Sequence, residues 1–335
     1  MFKKVYEKIK KIIINNHNFI LFIIFIAIVL NIKVPYVISA PGGVLPLNSR
    51  IEIDGKKIDT NFYTTYVRVY NGNVASFILG KVMPKWDVEK IDKYSGSNNL
   101  SYEDVNMQEV LLMKRSNSIA SSLALKEAGI PYEEVNNKLY VLYKMEGYDN
   151  DLKIGDQIIS CDKNITKVFE DLYSCIYNSK DNNIDLVVKR NNKNISLNTK
   201  LYNHQGNRVI GINVYQDFTV KSDPSIKVTY AKNESGSSGG LMTALSIYDS
   251  LTNLNISKKY KIAGTGTIDE EGKVGEIGGI KYKLLGSSKS KVDVFFCPKD
   301  NYKEALKIKK KYKLKINIVE VDTFTDAVNY LKKLK

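Results

Sequence analysis

Two adjacent serines stand between glycines in the segment "NESGSSGGLMTALSIYDSL", Asn233 to Leu251, directly before an amphipathic helical pattern. The small residues leave Ser237 and Ser238 exposed, and the N-terminus of a helix offers unpaired backbone N–H groups. This arrangement suits a nucleophilic hydroxyl beside an oxyanion site, because such N–H groups can hold the charge of a tetrahedral intermediate. The alternative is an ordinary N-cap, since serine is a preferred N-cap residue.

A serine nucleophile needs a base within hydrogen-bond reach. The chain has only two histidines, His17 and His204, and the spacing of a GxSxG elbow is absent. Lysine can serve instead where burial lowers its pKa. We expect Lys281 to be the base, because it follows Gly278 and Gly279 at the start of an apolar helical turn, and we expect Lys283 to face solvent.

The last third of the chain, residues 202–335, alternates strand and helix patterns and therefore predicts an α/β layered domain. A helix is expected from the serine motif to about Leu254, with further helices at Asn301–Lys311 and Thr323–Leu334. The expected strands are "RVIGINVY", "SIKVTYA", "YKIAGTGTI", "VDVFFCP" and "KINIVEVD".

Residues 137–201 form a compact α+β pattern: a strand at Tyr140–Met145, the turn and strand "LKIGDQIISCD", a short helix and an asparagine-rich hairpin. The order of these elements and the phrase "LKIGDQI" resemble a PDZ domain. Such a domain binds a peptide end as an added strand on a sheet edge. A structural α+β domain without a working groove is the alternative.

Upstream, residues 36–136 read as a β-rich region followed by a helix. Short β-prone runs extend to about Gly80, and "SGSNNLS" at 95–101 is typical of a loop. The helix is expected over Tyr102–Ala128, where Gly129 is a C-cap candidate.

Two segments, "ESGSSGGLMTAL" and "GTGTIDEEGKVGEIGGIKYKLL", resemble the proteolytic domain of the Lon peptidase family. In that family a "GPSAG" serine pairs with the lysine of a "GG-(L/I)-K-x-K-L" segment. The phrase "VDVFFCPKDNYKEAL" is similar to the strand, turn and helix that follow in the family. With the PDZ-like unit and the N-terminal segment, the whole chain resembles membrane-anchored Lon-like proteases.

Carried over by position, the resemblance implies Ser238 as nucleophile, Lys281 as its base and Thr265 as the residue that orients the lysine. Gly236 and Gly239 shape the turn as supporting residues. Ser237 stands where the family has proline and Gly239 where it has alanine, so the turn is expected to be looser. No metal or cofactor is expected. A GxxxxGK[ST] phosphate loop is absent from the sequence, which implies an ATP-independent endopeptidase acting on unfolded or flexible polypeptides.

The first 35 residues predict a membrane anchor. Lysines precede the apolar run Phe19–Leu30 (Lys3, Lys4, Lys8, Lys10 and Lys11), which places the N-terminus in the cytoplasm and the catalytic domain outside the cell membrane. A transmembrane helix in contact with membrane lipid is therefore expected. The alternative is a signal peptide cleaved after Ala40, which Pro41 disfavours.

The formal net charge of +14 favours anionic surroundings, but the lysines are spread over the chain, so nucleic acid is not an expected partner. The three cysteines, Cys161, Cys175 and Cys297, have no metal-ligand spacing; Cys161 and Cys175 could pair, although free buried thiols are favoured for these two. A homo-oligomer is left open. The rival functions are a non-catalytic membrane scaffold that binds peptides on a degenerate Lon-like fold, and a structural cell-surface protein.

Overall fold

The computed structural model describes residues 5–7, 10, 14–91, 100–254 and 256–334. Most of the predicted basic cluster, Lys3, Lys4, Lys8 and Lys11, lies outside the described residues, and so do residues 95–99 of the predicted loop. The chain divides into two compact units. The first holds residues 1–41 and 67–102, and the second holds residues 42–66 and 103–335.

The helices are α1 (His17–Asn31), α2 (Val74–Val82), α3 (Tyr102–Glu127), α4 (Phe169–Asn178), α5 (Gly240–Leu251), α6 (Ile280–Lys289), α7 (Lys299–Lys311) and α8 (Phe324–Lys333), with 3₁₀ turns at Ser237–Gly239 and Ile256–Lys259. The strands are β1 (Lys33–Pro46), β2 (Ile51–Ile53), β3 (Lys56–Lys57), β4 (Phe62–Asn73), β5 (Asp87–Lys90), β6 (Tyr132–Lys144), β7 (Gln157–Cys161), β8 (Asn164–Ile165), β9 (Asn183–Arg190), β10 (Lys193–Lys200), β11 (Tyr202–His204), β12 (Asn207–Val209), β13 (Ile212–Ser222), β14 (Ile226–Val228), β15 (Ile262–Gly264), β16 (Thr267–Ile268), β17 (Val274–Gly275), β18 (Val294–Pro298) and β19 (Asn317–Val321).

The first unit contains α1, α2 and β5 with the adjoining parts of β1 and β4. Strand β5 runs antiparallel to β1, with Tyr36 opposite Lys90. Helix α2 begins at a capping box in which the Asn73 side chain accepts from the Ser76 backbone and the Ser76 hydroxyl accepts from Asn73 N–H. This cap fixes the start of α2 because it satisfies N–H groups that have no partner within the helix.

The prediction of an N-terminal transmembrane helix is wrong. Helix α1 is apolar but has 15 residues, or about 22 Å at the usual rise per residue, whereas a bilayer core is about 30 Å thick. Among the residues that the structure describes, no helix is both long and apolar enough to cross a membrane. The sequence pattern predicted a longer helix because apolar residues continue beyond Asn31. In the structure, the residues from Lys33 onward form a strand.

The α/β prediction for the last third is correct. Strands β4, β15, β18 and β19 are parallel neighbours, with Ile262 facing both Phe62 and Val294 in register. Residues 42–46 of β1 continue the same sheet next to β4. Because strands buried on both faces read as continuous apolar runs, "VFFCP" at β18 is apolar throughout and fully buried.

Helix α5 shares its core with segments far upstream. Its buried residues Leu241 and Leu245 belong to the same apolar cluster as Phe62 of β4 and Leu123 of α3. A second cluster covers the opposite side of the sheet and includes Leu284 of α6 and Phe295 of β18. The helix expected at Tyr102–Ala128 is confirmed as α3, and it ends where Gly129 takes a positive φ of 71°.

Residues 132–222 hold a separate antiparallel sheet in the order β10-β9-β7-β6-β13, with β8 paired to β7 and α4 against it. The predicted hairpin is present: β9 and β10 pair along their whole length around Asn191 and Asn192, which both have positive φ. Strand β13 lies after residue 201 yet pairs with β6. The sheet therefore takes one edge strand from beyond the predicted PDZ-like boundary.

The expectation of free thiols at Cys161 and Cys175 is wrong, because a disulfide joins them. Cys161 ends β7 and Cys175 lies on α4, so the bond ties the helix to the sheet. The pattern could not show this pairing because the two positions meet only after α4 packs on β7. Cys297 is free and buried.

Candidate active site

Ser238 lies in a 3₁₀ turn, Ser237–Gly239, directly before α5. Gly236 enters this turn with φ of +102°, a backbone conformation that is strained for any residue other than glycine. A Cβ at Gly236 would lie 3.3 Å from Oε2 of Glu109 on α3. The Gly236 N–H also donates to the Glu109 carbonyl at 2.9 Å, so α3 holds the entry to the turn.

The backbone of the turn is fixed by bonds to two other elements. The Ser238 carbonyl accepts from Gly266 N–H at 2.9 Å and from the Thr265 hydroxyl at 3.1 Å. The Ser237 carbonyl accepts from the hydroxyl of Ser116, a buried residue of α3, at 2.9 Å. The Ser238 side chain is half-buried in this frame. Its backbone position is therefore set by α3 on one side and the segment after β15 on the other.

The segment that precedes the turn is anchored by an ion pair. The Arg50 guanidinium donates to both carboxylate oxygens of Glu234, at 2.5 and 2.6 Å. The Arg50 carbonyl in turn accepts from the N–H and the hydroxyl of Thr229. A bidentate pair of this kind fixes orientation as well as distance. It holds the chain between β14 and Ser238.

Lys283 is the buried lysine of the site, with 4% of its surface exposed. Its Nζ donates to Thr265 Oγ1 at 2.9 Å, and that hydroxyl donates onward to the Ser238 carbonyl. Burial lowers the pKa of Lys283 from 10.5 to about 7, although the charge of Glu109 acts in the opposite direction. A substantial neutral fraction of Lys283 is therefore present near neutral pH.

The expectation that Lys283 faces solvent is wrong, and Lys281 is the more exposed of the two. Lys281 is half-exposed, and its Nζ lies 5.2 Å from the centre of the Tyr282 ring. Residues two positions apart in a helix are rotated by about 200° around its axis, so these lysines point to opposite sides of α6. The lysine that the structure brings to Thr265 is Lys283.

The start of α6 aims Lys283 into the core. Gly279 caps the helix with φ of +72°, and its carbonyl accepts from Lys283 N–H. The buried amide of Asn301 exchanges two hydrogen bonds with the backbone of Ile277, at 2.9 and 3.1 Å. Because Asn301 lies in the first turn of the next helix, α7, these two hydrogen bonds fix the loop ahead of α6 to that helix.

Two residues of the site were missed by sequence reasoning, Glu109 and Ser116. Both lie on α3, more than 100 residues before the serine turn. Burial raises the pKa of the Glu109 carboxyl, and the charge of Lys283 lowers it. The one available signal was a glutamate and small polar residues inside an otherwise apolar helical stripe.

Gly239, which stands where the Lon family has alanine, lies close to a side chain of β4. A Cβ at Gly239 would lie 3.0 Å from Oγ1 of Thr64 on β4, so an alanine there would require Thr64 to shift by a few tenths of an ångström. A Cβ at Gly240 would lie 2.4 Å from the Ser116 hydroxyl oxygen. The space that larger residues would fill is thus taken by hydroxyl groups from β4 and α3.

The arrangement can support proton transfer at a serine. A neutral lysine that donates one N–H to Thr265 keeps its lone pair for another proton. His204 lies on β11, where its Nδ1 is hydrogen-bonded to the Tyr148 hydroxyl. Lys283, by contrast, contacts the Thr265 hydroxyl that bonds to the Ser238 carbonyl.

Residues 203–333 match the profile of the Lon protease (S16) C-terminal proteolytic domain. The Lon protease of Mesomycoplasma hyopneumoniae is 35% identical over 98 residues, which cover 29% of this chain and 11% of that protein. The Lon protease of Campylobacter jejuni is 35% identical over 94 residues, covering 27% and 12% respectively. The chain thus spans about one eighth of the length of these relatives. The resemblance to the Lon proteolytic domain is confirmed for this region.

Among solved structures, the PDZ domain of the SdrC-like protein from Listeria monocytogenes is similar to part of this chain. The match has 25% sequence identity and a TM-score of 0.21, and it covers 23% of this chain and 85% of that domain.

Proposed function

We propose that this protein is a serine endopeptidase in which Ser238 is the nucleophile and Lys283 the general base. The observation that carries the proposal is the buried Lys283 Nζ at 2.9 Å from Thr265 Oγ1, a hydroxyl that also donates to the Ser238 carbonyl. The match of residues 203–333 to the Lon proteolytic domain supports a serine peptidase. Lys283 thereby takes the role that the sequence pattern assigns to Lys281.

In the proposed reaction, neutral Lys283 takes the proton of Ser238 Oγ as that oxygen attacks the carbonyl carbon of a peptide bond. The protonated lysine then gives the proton to the leaving amine nitrogen as the C–N bond breaks. Water hydrolyses the resulting ester by the same proton path. Thr265 keeps the Lys283 amine oriented through both steps.

The negative charge of the tetrahedral intermediate falls next to the start of α5. We propose that backbone N–H groups of the Ser237–Gly239 turn stabilise it, because a helix N-terminus carries unpaired donors and a partial positive charge. Bonds from Gly266 and Ser116 to this turn hold the donors in place before substrate arrives. Such preorganisation avoids reorientation during the reaction.

We propose unfolded or flexible polypeptides as substrates and cleavage without nucleotide. The support is the absence of a phosphate-loop phrase from the sequence. The direct test is the purified chain, wild type beside Ser238→Ala, mixed with an unfolded protein with and without ATP. We expect cleavage by the wild type at equal rates in both conditions and none by Ser238→Ala. Cleavage by the alanine variant would exclude Ser238 as nucleophile.

We further propose that the PDZ-like region influences cleavage through α3. The Met107 side chain lies against Gly155 in the "LKIG" turn, where an added Cβ would be 2.8 Å from it. The buried Gln108 amide donates to the carbonyl of Leu142 on β6 at 2.9 Å. The next residue, Glu109, accepts from Gly236 at the serine turn. Consecutive residues of one helix thus contact both the antiparallel sheet and the catalytic turn.

A variant at this junction tests the influence of the sheet. Gln108→Ala removes the bond to β6 and leaves Leu142 without that donor. We expect it to slow cleavage of a long unfolded protein more than cleavage of a short peptide, because a short peptide can reach Ser238 without the sheet. Lys126→Ala, at the far end of α3, is the matched control. Equal effects on both substrates would contradict the coupling.

A further inference from the structure

The chain places one carboxylate beside the serine turn and within electrostatic reach of Lys283. Glu109 is half-buried on α3, its carbonyl accepts from Gly236 N–H, and its Oε2 stands 3.3 Å from where a Gly236 Cβ would be. The charge of Glu109 raises the pKa of Lys283, and the charge of Lys283 lowers the pKa of Glu109. The proposed reaction so far gives this group no role.

We propose that Glu109 is a positioning residue that supplies the counter-charge for the Lys283 ammonium formed during proton transfer. The inference rests on the proposed function of Ser238 and Lys283. When Lys283 takes the serine proton, a positive charge appears at a buried nitrogen whose described hydrogen bond goes to the neutral Thr265 hydroxyl. A nearby carboxylate lowers the free energy of that charged state.

The groups around this pair come from several elements. Helix α6 contributes Lys283, the segment after β15 contributes Thr265, β4 contributes Thr64 beside Gly239, and the turn contributes Ser238. The serine and threonine hydroxyls do not titrate in the pH range in which activity is measured. The described environment thus makes Glu109 the acidic partner of Lys283, and the charge of each group shifts the pKa of the other toward the ionised pair.

The sign of the effect gives a specific test. The Glu109 charge raises the pKa of Lys283, so Glu109→Gln should lower it and move the acid limb of the kcat/KM profile to lower pH, by about one unit. The plateau rate should fall by about tenfold, because the ammonium intermediate loses its counter-charge. Glu109→Asp keeps the charge and should retain the wild-type limb. The exposed Glu103, on the same helix, supplies the control Glu103→Gln.

A second readout does not depend on catalysis. In the full chain carrying Ser238→Ala, NMR of lysine labelled at Cε follows the titration of Lys283 directly. We expect a lower Lys283 pKa with Glu109→Gln than without it. An unchanged NMR titration and an unmoved acid limb in an active enzyme would overturn the role of Glu109 and leave the proposed function intact. A wild type without peptidase activity would instead overturn the proposed function, while the NMR result would still decide the electrostatic pairing.

Discussion

Lys283 and Thr265 form a buried amine–hydroxyl pair, with Nζ and Oγ1 2.9 Å apart. The pair ties α6 to the segment after β15, and the Thr265 hydroxyl extends it to the Ser238 carbonyl. Because the hydroxyl proton is engaged with that carbonyl, Thr265 can only accept from the lysine. The lysine must therefore use an N–H on Thr265, and its lone pair points away from that hydroxyl.

The rate of peptide cleavage should follow the titration of a lysine whose pKa is lowered. The neutral form of Lys283 is active in the proposed reaction, and burial lowers its pKa to about 7. The rate should therefore rise as pH increases through about 7 and level off above it. A pH profile of kcat/KM on an unstructured peptide measures this. An acid limb centred near 10 would show that the base is an ordinary exposed lysine.

Replacement of Lys283 by methionine should stabilise the fold. Since the folded-state pKa is lowered from 10.5 to about 7, the unfolded chain binds the proton more tightly. The wild type should lose stability relative to Lys283→Met as pH falls from 10.5 to about 7, and the difference should be constant below that range. Urea unfolding at several pH values checks this, with Lys281→Met as control. If the difference in unfolding free energy between wild type and Lys283→Met did not change with pH, the folded-state pKa of Lys283 would not be lowered.

Loss of the Thr265 hydroxyl should impair catalysis more than folding. Thr265→Val keeps the shape but leaves the Lys283 amine and the Ser238 carbonyl without this partner, so we expect kcat to fall about 10- to 100-fold. Thr265→Ser keeps a hydroxyl and should retain most activity. The half-buried Thr267 offers the control Thr267→Val. Equal activity in Thr265→Val and wild type would remove Thr265 from the mechanism.

The disulfide should stabilise the antiparallel sheet region. Cys161 and Cys175 close a loop of 14 residues, for which chain entropy predicts about 3 kcal/mol. We expect the double variant Cys161→Ser/Cys175→Ser to unfold at lower urea concentration than the wild type. Cys297→Ser, which affects a free thiol, is the comparison. If a reductant lowered the stability of the double variant as much as that of the wild type, the disulfide would not be the cause.

Local patterns were sufficient for several elements. The helix α3 and the β9–β10 hairpin follow from an apolar stripe and an asparagine pair, both of which act within a few residues. The turn at Ser238 was also readable, because a run of glycines and serines directly before an apolar helical pattern favours a tight turn with an accessible side chain. These features depend on neighbours in sequence, which is why the sequence alone predicts them.

Features that depend on packing were missed. The glycine pair drew attention to Lys281, but the rotation of α6 is set by its apolar contacts, and these bury Lys283. Glu109 approaches the site only because α3 shares a core with α5. The pairing of β1 with β5 likewise joins residues about 50 positions apart in the chain, and no pattern within either strand specifies that partner.

Variants of the two lysines of α6 decide which of them is the base for Ser238. The measurement is kcat/KM of the purified chain on an unfolded protein for Lys283→Ala, Lys283→Arg, Lys281→Ala and Lys281→Arg. We expect both Lys283 variants to lose at least about 1,000-fold, because neither alanine nor a guanidinium can accept the serine proton. Both Lys281 variants should keep most of the wild-type activity. An active Lys283→Arg enzyme, or loss of activity confined to the Lys281 variants, would show that Lys283 is not the base.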